Sequence, residues 1–185
     1  MARTINNTGW EVTPPYLLRS KTMSENLPTL SIEKVITEFS SDLNPSTELK
    51  NERRAVICEL ERRILTLDGT YSMQEFNEGK IKHHYATGVY GRELFIPKGQ
   101  VLISKIHRGK TFNIITEGKV SVISEMGFHT YEAPYIFVSD PFTKRVVISH
   151  EDSVWVTSHG TDKTDLDDIE DEIIAKDFSE LKQLK

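Results

Sequence analysis

A mainly antiparallel β fold, a small sandwich or barrel with one helix before it and one after, is the architecture this sequence predicts. Three observations lead there. Seven short segments between residues 70 and 160 alternate apolar and polar side chains with period two and favour Val, Ile, Phe and Thr: 89–97, 101–107, 111–118, 119–124, 135–139, 144–149 and 153–159. Turn-forming residues separate them at intervals of roughly 8–12 residues: Pro97-Lys98-Gly99, Arg108-Gly109, Glu117-Gly118, Met126-Gly127, Asp140-Pro141 and Glu151-Asp152. On both sides of this region the apolar spacing changes to that of a helix.

Taken in order, residues 1–47 read as an arm. Pro14-Pro15, Pro28 and Pro45 interrupt it, and a single helical turn is expected where Ile32, Val35, Ile36 and Phe39 recur at i, i+3, i+4 and i+7. The composition fits a flexible leader or an arm that wraps a neighbouring subunit, anchored by Trp10, Tyr16, Leu17 and Leu18, and docking is favoured because exposed aromatic side chains cost solubility unless they dock. Residues 48–68 form the first helix, with Thr47 as N-cap and Glu48 in the first turn, where the helix dipole favours an acid. Val56, Leu60, Ile64 and Leu67 make its apolar stripe, widened by Ile57. Arg53, Arg54, Arg62 and Arg63 face elsewhere and can pair with Glu48, Glu52, Glu59 and Glu61, and Asp68-Gly69 ends the helix. Cys58 lies in this helix with no histidine near it, so an inert thiol is expected. Residues 69–160 form the β domain. Residues 161–185 form an acidic amphipathic helix with Leu166, Ile169, Ile173, Ile174, Phe178 and Leu181 on its apolar side.

Composition narrows the function classes. The 185 residues hold 23 Lys+Arg against 28 Asp+Glu, a net charge of −5. The last 25 residues hold 4 basic and 9 acidic side chains, which accounts for that whole excess. An acidic sum argues against a nucleic-acid binder. The single Cys excludes an internal disulfide framework. No apolar run approaches the ~20 residues that span a bilayer, and MARTINNTGWEV lacks the apolar stretch of a secretory signal, so a cytoplasmic location and no membrane partner are expected. All six histidines lie within the β region. Phosphate-loop, dinucleotide, zinc-protease and nucleophile-elbow patterns are absent from the sequence.

The run IPKGQVLISKIHRGKTFNIITEGKVSV (96–122) resembles the first conserved segment of the cupin superfamily, and EAPYIFVSDPFTKRVVISHEDSVWVTSH (132–159) resembles the second. GVYGRELFIPKG, KIHR, APYIFVSDPFTKR and EDSVWVTSH are similar, more narrowly, to small cupin-like proteins of tailed phages, a group with no assigned function. The resemblance implies a single jelly-roll barrel over residues 69–160, a homo-oligomer, with a dimer favoured, and residence in a bacterial host cytoplasm. It also implies a place where cupins hold a divalent metal through histidines and a carboxylate. His107 stands at a ligand-like position, but Arg108, Gly109, Lys110 and Thr111 follow it, and Lys144 or Arg145 stands where the last metal histidine would be. No metal and no cofactor are therefore expected.

Strand alternation, combined with barrel closure of the cupin kind, brings Lys105, His107, Asn113, Arg145, Trp155 and His159 to one cavity, with Tyr90 and Arg92 as a further same-face pair. Cations, donors and one aromatic plate suit a small anion such as a nucleotide, a sugar phosphate or a carboxylate. Each member has a structural reading beside the binding one. Trp155 can be core packing, His107 a hydrogen-bonded core histidine, Lys105 a partner of Glu93, and Arg145 and Lys144 partners of Asp140 or a turn carbonyl. His83 and His84 are adjacent in a strand and point to opposite faces. The expected function is a non-catalytic, phage-type accessory protein that binds a protein partner or a small anion in a metal-free pocket. The alternatives are a divergent metal enzyme using His107 with His84 or His159, and a structural virion component that assembles through its arm and tail.

Overall fold

The computed structural model describes residues 16–18, 39, 44–64, 70–72 and 79–184. Trp10, the expected turn before Phe39, Leu67 and Asp68-Gly69 lie outside the described residues. The first helix, α1, runs Thr47–Ile64. Its cap is Ser46 rather than Thr47: the Leu49 amide donates to Ser46 Oγ at 3.2 Å. Thirteen strands accompany it among the described residues: β1 (Tyr16–Leu18), β2 (Thr70–Ser72), β3 (Ile81–Ala86), β4 (Val89–Ile96), β5 (Val101–Ile103), β6 (Ile106–His107), β7 (Thr111–Glu117), β8 (Lys119–Ser124), β9 (Gly127–Glu132), β10 (Tyr135–Ser139), β11 (Val146–Ser149), β12 (Ser153–Gly160) and β13 (Ile174–Ala175). A second helix, α2, spans Leu166–Ile173, and a 3₁₀ helix follows at Phe178–Leu184.

Two antiparallel sheets face each other. The first has the order β2-β1-β5-β11-β8-β9 and the second β10-β7-β12-β4-β3. The chain passes from β4 to β5, β7 to β8, β9 to β10 and β11 to β12 by crossing between the sheets, which makes the jelly-roll arrangement expected from the sequence. β1 pairs with β2 and β5 of its own chain, so this piece of the arm adds to the first sheet.

The first sheet is covered on both sides. Val101, Ile103, Ile123, Val146 and Ile148 pack under Ile57, Leu60 and Ile64 of α1, with Phe39. Leu102, Val120, Val122 and Val147 face inward to Ile96, Ile115 and Trp155 of the second sheet. Burial on two faces explains why β5 and β11 are nearly continuous apolar runs. Each such aliphatic side chain contributes about 1.5–3 kcal/mol by leaving water. Polar anchors fix the helix as well. Arg53 is buried and donates to the carbonyls of Glu125 and Phe39, Arg54 meets the Glu125 carboxylate at 3.4 Å, and Glu61 pairs with Lys144 at 2.8 Å. Only Arg62 and Arg63 make the expected helix-surface pairs, both with Glu59. Lys144 is thus spent on α1, not on Asp140.

Three features depart from the sequence reading. β3 and β9 are absent from the predicted strands, because both are sheet edges, β3 mostly exposed and β9 mostly half-buried, so apolar alternation is not needed in KHHYA or FHTYE. The 101–107 segment is two strands, β5 in the first sheet and β6 on β13. The tail is not one helix. It leaves α2 at Ile174 to pair with His107, and the Arg108 guanidinium holds this bend by donating to the carbonyls of Asp171 and Glu172 and to the Glu180 carboxylate. Ile106, Phe142 and Ala175 form a third small core there, joined by Phe178 and Leu181. No helix among the described residues is long and apolar enough to cross a membrane.

Candidate functional site

Period two on the second sheet sends Tyr90, Arg92, Leu94 and Ile96 of β4, Thr111, Asn113 and Ile115 of β7, and Trp155, Thr157 and His159 of β12 to the inner face. Ile96 and Ile115 belong to the apolar core, and Ile96, with Leu94, Leu102, Ile103 and Val147, forms the apolar wall of the space between the sheets. Toward the other end the lining becomes polar, and a cavity of about 60 Å³ opens between the sheets. Arg92, Lys105, His107, Asn113, Arg145 and Trp155 line it, joined by Ser104 and Thr157. Six of the eight predicted site residues therefore meet in one place. Tyr90 and His159 do not line the cavity but stand beside it as a cross-strand pair, their rings 6.2 Å apart, and His159 meets His107 edge-on at 4.7 Å.

Of the three cations in the lining, Lys105 and Arg145 are already committed and Arg92 is not. Asn113 donates to the Thr111 carbonyl at 2.8 Å and to Ser139 Oγ at 2.6 Å, and accepts from Trp155 Nε1 at 3.2 Å. The Trp155 and Asn113 side chains are thus tied to each other and to the fold. Arg145 donates to Ser139 Oγ, and burial pushes its guanidinium down to about 10. Lys105 pairs with Glu170 of α2, not with Glu93, which holds Lys82 and His84 on the opposite face of β4. Burial and the nearby Arg92 push the Lys105 ammonium down to about 8. Arg92 makes no hydrogen bond and no ion pair among the described residues, and part of it is open to the cavity. Burial lowers its pKa too.

Both inner histidines are held neutral. His107 is buried, its Nδ1 lies 3.3 Å from Thr111 Oγ1, and burial plus the neighbouring His159, Arg145, Arg92 and Lys105 depress its pKa well below the usual value. Burial and Arg92 bring His159 to about 4. The cupin resemblance implies a divalent metal here, and the donor set does not fit one. Two imidazoles without a carboxylate face three cationic side chains, and the described residues contain no group of three metal-ligating side chains. His84 bonds to Glu93 on the outer face, so the pair of His107 with His84 does not form.

Sequence reading missed Thr157, Ser104, His83 and Glu170. Thr157 was legible from its spacing to Trp155 and His159. Glu170 was not, because it reaches Lys105 across 65 residues through the bend at Ile174. A row of rings leads outward from the cavity: His83 Nδ1 lies 2.8 Å from the Tyr90 hydroxyl, and Tyr85, 46% exposed at the sheet edge, lies 5.7 Å from the Tyr90 ring.

No protein-family model and no curated protein matches the chain. Solved structures do resemble it. A cupin-2 domain protein from Shewanella frigidimarina is 10% identical over 48% of this chain and 88% of its own, with a TM-score of 0.39. KdgF from a Halomonas species is 17% identical over 48% and 84%, with a TM-score of 0.41. An acetylacetone dioxygenase from Acinetobacter johnsonii is 20% identical over 46% of this chain, at a TM-score of 0.39, and the match spans 65% of that enzyme's length.

Proposed function

We propose that this protein is a non-catalytic, phage-type accessory protein that binds the anionic head of a small molecule in a metal-free cavity between its sheets. The observation that carries the reading is Arg92, a cation with no partner among the described residues that borders the cavity. Leaving a charge unpaired in protein is costly, and an anion arriving there recovers that cost through charge-assisted hydrogen bonds. Arg145 and Lys105 add positive potential on the other walls. A cavity of about 60 Å³ is far below the roughly 300–1,000 Å³ of a site that engulfs a drug-sized ligand. It suits a phosphate or carboxylate head, with the body of the ligand lying outside along Tyr90, His83 and Tyr85. A ring-bearing anion, such as a nucleotide, gains from that row and a bare ion does not. The hydroxyl that meets a histidine beside the cavity, Thr111 on His107, is 1% exposed and does not line it, which favours binding over nucleophilic chemistry.

Calorimetric titration with inorganic phosphate and with phenyl phosphate tests this. Wild-type protein should bind both, phenyl phosphate more tightly. Arg92→Met should lose both, and Tyr85→Ala should lose only the advantage of the phenyl ester. Absence of binding by wild-type protein, or equal binding by Arg92→Met, would sink the proposal.

A further inference from the structure

The outer face of the second sheet is apolar where it meets solvent. Phe112 is 55% exposed, Ile136 62%, Val138 54% and Phe95 36%. Strand pairing makes them neighbours: Val138 stands opposite Phe112, Ile136 opposite Ile114, Ile114 opposite Val156, and Val154 opposite Phe95. An alternating strand of a sandwich normally turns polar residues to this side. Here four adjacent strands, β10, β7, β12 and β4, turn β-branched and aromatic ones outward.

We infer that this face is where two copies of the chain pack together, sheet against sheet. The exposed parts of these side chains amount to roughly 400–500 Å² of apolar surface, the upper range for a monomer's largest patch. A standard interface buries about 800 Å² per partner, some 55–65% of it apolar, which calls for about that much. The borders of the patch are balanced in charge. Glu93 holds Lys82 and His84 on one side, and Lys110 lies 3.9 Å from Asp140 on the other. An identical face therefore meets no like-charge repulsion, and the acidic excess of the tail is not on it. β1, the described strand of the arm, lies in the first sheet and not on this face.

Sedimentation velocity of the full chain over a concentration series tests the inference, with Ile136→Lys and the double change Ile136→Thr with Val138→Thr as variants. Wild-type protein should be a dimer, and both variants should keep the wild-type circular dichroism while their dimer dissociation constant rises roughly tenfold or more. The threonine variant keeps β-branched side chains in the strand, so it decides the matter if the lysine variant does not fold. A wild-type monomer at every concentration overturns the inference, and so does a dimer that both folded variants leave intact.

Discussion

Arg92 sits on the inner face of β4 with Tyr90 on one side and Leu94 on the other, and its guanidinium has no carboxylate to answer it. A binding site built this way is held at the expense of stability. Arg92→Met should therefore raise the melting temperature, by an amount corresponding to about 1–2 kcal/mol, while abolishing anion binding. Calorimetry on the same two proteins reads both effects. Lys105 gives the site a pH dependence. With its ammonium pushed to about 8, affinity for phosphate should fall as pH rises through that value. The histidines act on stability in acid. His159 is neutral in the fold down to about pH 4, whereas in the unfolded chain it protonates near 6.5. Between those values the unfolded state binds the extra proton, so stability present above pH 6.5 is lost as pH falls toward 4, by up to about 3 kcal/mol. His107 is shifted in the same direction. Denaturant melts across this range should show the loss, and His159→Gln should flatten it.

The turn between β7 and β8 depends on one glycine. Gly118 has a φ of +77°, and a Cβ there would lie 2.3 Å from the Asp152 carbonyl and from Ser153 Oγ. Gly118→Ala is expected to cost more than about 1 kcal/mol from the backbone alone, and further for moving the start of β12, measurable as a lowered denaturant midpoint. The C-terminal segment depends on Arg108 in a comparable way, since one side chain ties Asp171, Glu172 and Glu180 together. Arg108→Ala should make residues 164–177 the first site of limited proteolysis. α1 illustrates what was readable from spacing. Ile57, Leu60 and Ile64 are buried on its predicted stripe, yet Arg53, from the face assigned to solvent, is buried as well. The helix is wedged between sheet and loop, so two of its faces are covered, and a charged residue can be inside when backbone carbonyls receive it.

For the molecule as a whole, the two sheets have different surroundings. The first is sealed between α1 and the second sheet, while the second has an inner face that holds the cavity and an outer face left to solvent. The anion binding proposed for the inside and the self-association proposed for the outside use opposite faces of the same strands, so the two are separable by mutation. Saturating phosphate at a hundred times its dissociation constant should add about 2.7 kcal/mol of apparent stability, seen as a raised melting temperature, and Ile136→Lys should not remove that increment.

The sequence by itself determined the β class, most strand positions, the stripe of α1 and the gathering of six polar and aromatic residues at one end of the sandwich. The first three follow from local period and turn chemistry, which a linear reading captures; the gathering also took barrel closure of the cupin kind, which the resemblance implied. Only the tertiary structure decided which charges were already used. Glu170, Glu61 and Ser139 come to Lys105, Lys144 and Arg145 from distant elements or across a turn, leaving Arg92 as the cation without a partner among the described residues. It also decided that the tail bends at Ile174 and that an apolar sheet face remains uncovered. Partner choice depends on how elements meet in space, and nothing in residue spacing along a strand encodes that meeting.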